Sequence, residues 1–204
     1  MKYYLKLGFV LFMITAIASG ILAYINGITL PIIAKSEKQA QVSARKIVLS
    51  AAEFFEKDSL EIKLLKDNDP LKIQKEADTA WFEFYRGYDS DKNFVGYTFQ
   101  AAKYGYSSKV RTMVGLDKDM SIKKIEIVSQ AETPGLGAKC VEPEFAAKYT
   151  GLTEDQLLVD KDGGKIVSIT GATISTRAIT ESIKSAVATL SANIEPSEIG
   201  GTNE

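Results

Sequence analysis

An uncharged stretch of 19 residues near the start of the chain, residues 7–25, constrains its fold most strongly. A helix needs about 20 apolar residues to cross the hydrocarbon core of a bilayer. Tyr3, Tyr4 and Tyr24 lie near the two ends of the stretch, where interfacial aromatic side chains are common. Residues 16–18 (Ala-Ile-Ala) resemble a signal-peptidase site, so a cleaved signal peptide is the alternative. The apolar run continues well past that point, which favours a retained membrane anchor.

The side of the membrane on which the rest of the chain lies is not determined by charge. Lys2 and Lys6 precede the apolar stretch, whereas Lys35 and Lys38 follow it. Because basic residues flank both ends, the positive-inside rule gives no clear orientation.

Residue usage excludes several kinds of chemistry. The chain has no histidine and a single cysteine, Cys140, so it cannot form a Ser-His or Cys-His nucleophile pair, a histidine metal site or an internal disulfide. A formal net charge of −1 gives no electrostatic reason to expect nucleic acid as a partner. Redox chemistry would therefore depend on a bound organic cofactor.

The remaining patterns predict one helix followed by a group of strands. Apolar residues recur at helical intervals in residues 34–56, which predicts either a stalk or the first helix of a globular domain. Four segments have the aromatic content, or the alternation of apolar and polar residues, that is typical of half-buried strands. They are residues 81–88, 94–99, 109–116 and 122–128. The five aromatic residues of segment 81–88 are more typical of the core of a sheet than of a flavin-binding surface. The predicted fold is α+β: one N-terminal transmembrane helix, then a mainly antiparallel sheet with packed helices.

A strand-to-helix connection near the C-terminus is the first candidate site. A short β-like run at residues 165–169 is followed by Gly171 and then by a helical pattern with one apolar stripe. The stripe consists of Ile179, Ile183, Ala186, Val187 and Leu190.

Hydroxyl groups are concentrated where this helix is predicted to begin. Ser175 and Thr176 are candidate N-caps, which places Thr173 just ahead of the helix N-terminus. Unpaired N–H groups and the helix dipole favour an anion there, with Arg177 as a candidate second partner for a phosphate. An ordinary structural turn remains the alternative for this segment.

A second candidate segment is the turn at residues 130–139. Pro134-Gly135 is typical of a turn, and Gly137 would let the backbone approach a flat ligand closely. A plain β-turn is the alternative interpretation of these residues.

Residues 170–173 (Thr-Gly-Ala-Thr) resemble the S/T-G-A-T signature of a family of FMN-binding domains. The family comprises the G subunit of Rnf complexes and the C subunit of sodium-pumping NADH:quinone reductase. The resemblance implies that Thr173 carries FMN through a phosphoester bond, which a separate flavin transferase installs from FAD. The sequence departs from the family at Val167, where an Asp is frequent, so the part that Asp plays is unaccounted for here.

Two further segments carry the same resemblance. Residues 132–137 (Glu-Thr-Pro-Gly-Leu-Gly) are similar to a family segment that packs against the isoalloxazine ring, although Gln130 stands where the family often has His. Residues 26–31 resemble the N-x-x-T-x-P motif that follows the family's membrane helix, and we expect them to form an exit turn.

The resemblance implies a cofactor site with no catalytic residue and no metal ligand of the chain's own. The residues that it assigns to FMN are Thr173 as the attachment point, and Thr170, Gly171, Ala172, Ser175, Thr176, Glu132, Thr133, Gly135, Leu136 and Gly137.

The implied function is that of an electron-relay subunit in an Rnf-type membrane complex that couples ferredoxin:NAD⁺ electron transfer to Na⁺ or H⁺ translocation. Its implied partners are the other subunits, the flavin transferase and the lipid bilayer, with the globular domain outside the cytoplasmic membrane. The compact chain favours this over the C subunit of the quinone reductase. A membrane-tethered module without cofactor and a free-standing flavin reductase partner are further alternatives.

Four segments follow from these patterns. We expect a membrane anchor at residues 1–30, a helical stalk or start of the globular domain at residues 31–78, and an FMN-binding domain at residues 79–192. Residues 193–204 are predicted to form a flexible tail. Residues 58–78 within the second segment are polar, and we assign no function to them.

Overall fold

The computed structural model describes residues 2–63 and 79–194, with side chains described at residues 3–60 and 82–194. The chain divides into two compact units, residues 1–42 and residues 43–204. Most of the predicted polar segment 58–78 and of the predicted tail lies outside the described residues.

Helix α1, Lys2–Val48, supplies the described part of the first unit. Every described side chain from residue 3 to residue 40 is exposed, including the large apolar ones. By length and composition, α1 is the one helix in the described part of the chain that could cross a membrane. An apolar surface of this extent is stable in lipid rather than in water.

The predicted exit turn at residues 26–31 is wrong, because these residues are helical and Pro31 lies inside α1. A proline removes only one helix hydrogen bond, which a long apolar helix tolerates. Thr29 also donates its hydroxyl to the carbonyl of Ile25 (2.7 Å) and so satisfies its own polar group within the helix.

Helix α1 ends at Val48, earlier than the predicted end at residue 56. Val48 and Leu49 are buried at 1% and 0% exposure. A Cβ atom at Gly87 would lie 2.5 Å from Leu49 Cδ2, and one at Gly115 would clash with the Val48 carbonyl oxygen. The last turn of α1 therefore packs against the backbone of the sheet, and the chain then turns into the first strand.

The sheet is a meander of five antiparallel strands in the order β1-β2-β3-β4-β5. The four predicted strands are confirmed, and a fifth begins at Phe54, within the predicted helix. The strands are β1 Phe54–Lys63, β2 Thr79–Tyr88, β3 Phe94–Tyr104, β4 Lys109–Asp117 and β5 Ile122–Ser129.

Short helices and one long helix follow the sheet. The 3₁₀-helices are Gly137–Val141, Glu154–Gln156 and Asp160–Asp162. The two α-helices are α2, Pro143–Ala147, and α3, Thr173–Asn193. The predicted strand at residues 165–169 is wrong, since it forms only an isolated bridge between Ile166 and Val159.

Helix α3 packs against β3 and β4 and closes the core. All five residues of its predicted stripe are buried, as are Phe84, Tyr97 and Phe99 on the sheet. Phe84 thus belongs to the core and the partly buried Phe82 packs against it, as favoured by the sequence. The predicted α+β fold with an antiparallel sheet and packed helices is confirmed.

Candidate functional site

A cleft of about 640 Å³ lies at the N-terminus of α3. This volume is in the range of small-molecule sites, about 300–1,000 Å³. The cleft brings together the two segments that the sequence singles out, although they are far apart in the chain. Its lining residues are Tyr106, Glu132, Thr133, Leu136, Gly137, Gly171, Ala172, Thr173, Ile174 and Ser175.

Three of the expected site residues do not line the cleft. Thr170 and Gly135 are exposed outside it, and Thr176 is buried within the first turn of α3. Conversely, Tyr106 and Ile174 line the cleft without having been singled out by the sequence. Nothing local in the sequence marks Tyr106, because its place in the cleft depends on the pairing of β3 with β4.

The carboxylate of Glu132 is the polar centre of this cleft and is only 5% exposed. Its Oε1 atom accepts the backbone N–H groups of Ser107 (3.0 Å) and Ser108 (2.9 Å). Its Oε2 atom accepts the backbone N–H of Tyr106 (3.2 Å) and the hydroxyl of Ser175 (2.6 Å). One side chain thereby joins the turn at residues 130–139, the β3–β4 hairpin and the first turn of α3.

These hydrogen bonds also determine the charge state of Glu132. Burial opposes ionisation, but the hydrogen bonds from Ser175 and from the backbone of residues 106–108 outweigh it and lower the pKa of the carboxyl below its ordinary value. Glu132 is therefore an anion at neutral pH.

Two glycines leave room for this carboxylate. A Cβ atom at Gly105 would lie 2.8 Å from Glu132 Oε1. A Cβ atom at Gly137 would lie 2.7 Å from Glu132 Oε2 and 2.8 Å from Ser175 Oγ. Gly137 thus allows close packing on the Glu132–Ser175 pair, while its close approach to a flat ligand stays a prediction.

Gly171 shapes the other wall of the cleft. Its φ of +77° lies in the left-handed region, which glycine adopts without strain. A Cβ atom there would lie 3.0 Å from Leu136 Cδ2, so the Leu136 side chain rests over the Gly171 backbone. The two candidate segments are in direct contact at this point.

The hydroxyl groups near α3 differ in what they bond. Ser168 donates to Asp160 Oδ1 (2.6 Å) and Ser175 donates to Glu132, so both hydroxyls are engaged. Thr176 Oγ1 accepts the N–H of Ile169 (3.1 Å) and donates to a backbone carbonyl. Among the hydroxyls of residues 168–176, that of Thr173 alone both lines the cleft and forms no hydrogen bond with a described residue.

The N-cap of α3 is Ala172, without a side-chain hydrogen bond, so the predicted caps Ser175 and Thr176 are wrong. Both side chains lie in the first turn and bond inward instead. As a result, the N–H groups of residues 173–175 have no acceptor within the described part of the chain. Free N–H groups at a helix N-terminus favour an anionic ligand.

Arg177 is engaged in an ion pair rather than directed to the cleft. Its guanidinium donates to both carboxylate oxygens of Asp162, at 2.7 Å each. This bidentate contact lowers the pKa of Asp162 and fixes the loop before α3. The predicted contribution of Arg177 to phosphate binding is not supported by this arrangement.

One region of the chain matches a known family of cofactor-binding domains. Residues 105–188 match a family model described as an FMN-binding domain. The matched region contains the hairpin loop, the turn at residues 130–139 and most of α3, and so every residue that lines the cleft.

Sequence relatives identify the family. The chain is 33% identical over 195 residues to the G subunit of the Na⁺-translocating ferredoxin:NAD⁺ oxidoreductase complex of Acetobacterium woodii, an alignment that covers 91% of both chains. The chain belongs to the family of G subunits of ion-translocating oxidoreductase complexes. It is also 29% identical over 178 residues to the G subunit of the proton-translocating ferredoxin:NAD⁺ oxidoreductase complex of Clostridium ljungdahlii, covering 85% of each chain.

A third member of this family is the G subunit of the ion-translocating oxidoreductase complex of Methanosarcina acetivorans, which is 36% identical over 110 residues. That alignment covers 53% of this chain and 58% of the relative. All three relatives are named as subunits of larger complexes, and the apolar α1 is consistent with association with a membrane.

Solved structures show the same fold at low sequence identity. NqrC of Shewanella oneidensis matches with a TM-score of 0.54 and 14% identity, covering 76% of this chain and 100% of that one. The C subunit of the Na⁺-translocating NADH-quinone reductase of Parabacteroides distasonis matches with a TM-score of 0.53 and 16% identity, covering 83% and 96%. Sequence therefore places the chain with the G subunits, while the fold is shared with the C subunits.

The chemistry of the cleft fits FMN. The free N–H groups at the start of α3 suit a phosphate, and the partly exposed apolar side chains of Leu136 and Ile174 suit a flat ring. No group of three or more metal-ligating side chains occurs within residues 2–63 and 79–194.

Proposed function

We propose that this chain is the flavin-carrying electron-relay subunit of a membrane complex that couples ferredoxin:NAD⁺ electron transfer to ion translocation, with FMN attached to Thr173. The observation that carries the proposal is the free hydroxyl of Thr173, in an FMN-sized cleft and at a helix N-terminus with unpaired N–H groups. Relatives that translocate Na⁺ and H⁺ are both similar to this chain, so the coupling ion is left as either.

The proposed attachment is a phosphoryl transfer from FAD. A bond forms between Thr173 Oγ1 and the phosphorus of the FMN half, and the P–O bond to the AMP half breaks. The threonine proton leaves with AMP, and no electrons are exchanged. A separate flavin transferase is the partner proposed for this step, since Thr173 has no base hydrogen-bonded to it among the described residues.

The chain's own residues hold and orient the group. The N–H groups of residues 173–175 receive the phosphate, and Leu136 provides an apolar contact beside Gly171. Glu132 links the segment that contains Leu136 to the first turn of α3 through its hydrogen bond with Ser175. The bound flavin supplies the electron-transfer chemistry, and the protein supplies its position and electrostatic surroundings.

The proposed location is a single-pass anchor with the globular domain on the extracytoplasmic side of the cytoplasmic membrane. Support comes from α1, which exposes its apolar side chains throughout residues 3–40. The lipid bilayer and the remaining subunits of the complex are the proposed partners. The proposed segments are residues 1–30 as anchor, residues 31–78 as helical stalk and start of the globular domain, in which β1 lies, residues 79–192 as FMN-binding domain and residues 193–204 as tail.

Intact mass spectrometry tests the proposal. The chain co-expressed with a flavin transferase of its own complex, then extracted and denatured, is expected to gain roughly 440 Da, the mass of FMN less water. The same chain expressed without the transferase serves as the control and is expected to keep the polypeptide mass. An unmodified mass in both preparations would exclude covalent attachment.

Deletion of residues 1–27 tests the single anchor. We expect the remainder, exported from the cytoplasm, to be recovered in the soluble fraction, because α1 is the one described helix able to span a membrane. Covalent FMN should still form when the transferase is in the same compartment. Recovery of the shortened chain in membranes, with no partner subunit present, would contradict a single anchor.

A further inference from the structure

Tyr106 lines the cleft, and its side chain is not used by the function proposed above. Tyr106 occupies the tip of the β3–β4 hairpin and is 73% exposed, yet it lines the cleft that contains Thr173. Its ring does not contribute to the buried core of the domain. Packing within the fold therefore does not explain why an aromatic side chain stands here.

The backbone beneath this ring is firmly held. Three successive N–H groups, of Tyr106, Ser107 and Ser108, donate to the one carboxylate of Glu132 at 2.9–3.2 Å. The hairpin is closed by Gly105 N–H to the Ser108 carbonyl (2.8 Å). Such a concentration of hydrogen bonds on an exposed loop preorganises it, because the entropy of ordering has been lost before any ligand binds.

The ring of Tyr106 completes a set of exposed apolar side chains around the cleft. Leu136 is 42% exposed and Ile174 is 52% exposed, and both line the same cleft as Tyr106. Apolar side chains that converge on a cleft next to a phosphate site are suited to a flat aromatic ligand.

We propose that Tyr106 is a cofactor-binding residue whose phenol ring packs against the isoalloxazine ring of the FMN carried on Thr173. This inference rests on the proposed function, since it requires a flavin in the cleft. Tyr106 then shields one part of the isoalloxazine ring from solvent, and the hydrogen bonds of Glu132 to its loop hold the phenol in place.

Tyr104 provides a matched control two residues away. It ends β3 on the same hairpin and is 72% exposed, but it does not line the cleft. An equally exposed tyrosine of the same hairpin that does not line the cleft separates contact with the flavin from a general effect of the hairpin.

The test compares the flavinylated full chain with Tyr106→Ala, Tyr106→Phe and Tyr104→Ala, each extracted in detergent after co-expression with the transferase. A phenol in contact with an excited flavin quenches its fluorescence by reversible electron transfer, whereas a phenylalanine ring does not. We expect a severalfold rise in flavin fluorescence in both Tyr106 variants and none in Tyr104→Ala. Quenching by iodide should increase in Tyr106→Ala and stay at the wild-type level in Tyr106→Phe, because the phenylalanine ring still covers the flavin.

The result that overturns the inference is equally defined. If the covalent mass is present in all four chains and flavin fluorescence in Tyr106→Phe equals that of wild type and Tyr104→Ala, Tyr106 does not contact the flavin. The exposed ring would then be available to contact a partner protein instead of the flavin. Tyr106→Phe decides this even if the alanine variant is unstable. Absence of the FMN mass from wild type would instead refute the proposed function, so the two failures are distinguishable.

Discussion

Thr173→Ala is expected to remove covalent flavin completely while the domain remains folded. The Thr173 hydroxyl forms no hydrogen bond with a described residue, so its loss should change the free energy of unfolding by less than about 1 kcal/mol. Attachment, in contrast, requires the oxygen itself. In-gel flavin fluorescence and intact mass, both after co-expression with the transferase, measure the effect.

Thr170→Ala is the matched control for this prediction. Thr170 belongs to the same Thr-Gly-Ala-Thr segment but is exposed and lies outside the lining of the cleft. Full flavin attachment is expected in Thr170→Ala. Fluorescence that persists in Thr173→Ala would show that the attachment site is wrong and would make Thr170 or Thr176 the candidate.

The sequence predicts well those features that depend on local pattern. A strand at residues 122–128 is found as predicted. The apolar stripe from Ile179 to Leu190 is also buried as predicted, because a helix packed on a core buries one face with a fixed period. The length of the uncharged run likewise predicts a long helix near the start of the chain.

Failures occur where tertiary contacts override local preference. Phe54 and Phe55 fit a helical pattern but form the first residues of β1, since Phe54 pairs with Tyr88 and Phe55 pairs with Gly87. Ser175 is a good N-cap by residue type, yet Glu132, which is distant in sequence, binds its hydroxyl. No local pattern contains this information, because the partner is brought close only by the complete fold.

In the candidate site, too, the features set by local sequence are predicted and those set by tertiary contacts are missed. Its two segments can be recognised from short motifs, and the structure places them in one cleft. The third segment, the hairpin loop at residues 105–108, has no motif and enters the site through backbone N–H groups, which every residue but proline carries. Sites built from backbone groups are therefore the part that sequence reasoning misses.

Glu132→Ala is expected to give the largest loss of stability of any change in the cleft. It removes the acceptor of three backbone N–H groups and of the Ser175 hydroxyl, all bonded to a carboxylate that is 5% exposed. Hydrogen bonds to a buried charge stabilise more than neutral ones, and unpaired donors remain after the change. We expect the free energy of unfolding to fall by about 3 kcal/mol.

Urea unfolding of the chain without residues 1–27, followed by circular dichroism, measures this loss. Glu142→Ala is the matched control, because Glu142 is exposed and its side chain makes no capping hydrogen bond to α2. That change should stay within about 0.5 kcal/mol of the unchanged domain. Equal unfolding midpoints for the two variants would contradict a stabilising role for Glu132.

The pH dependence of the same measurement identifies the charge of Glu132 as the cause. Its pKa is lower in the folded domain than in the unfolded chain, where a glutamate titrates at about 4.3. The stabilisation from its charge is therefore fully present above that unfolded value and is lost as the pH falls through the folded pKa. In Glu132→Ala this contribution is absent, so the domain should lose less stability on acidification than Glu142→Ala does. A parallel loss in both variants below pH of about 4 would show that other carboxyl groups account for the acid sensitivity.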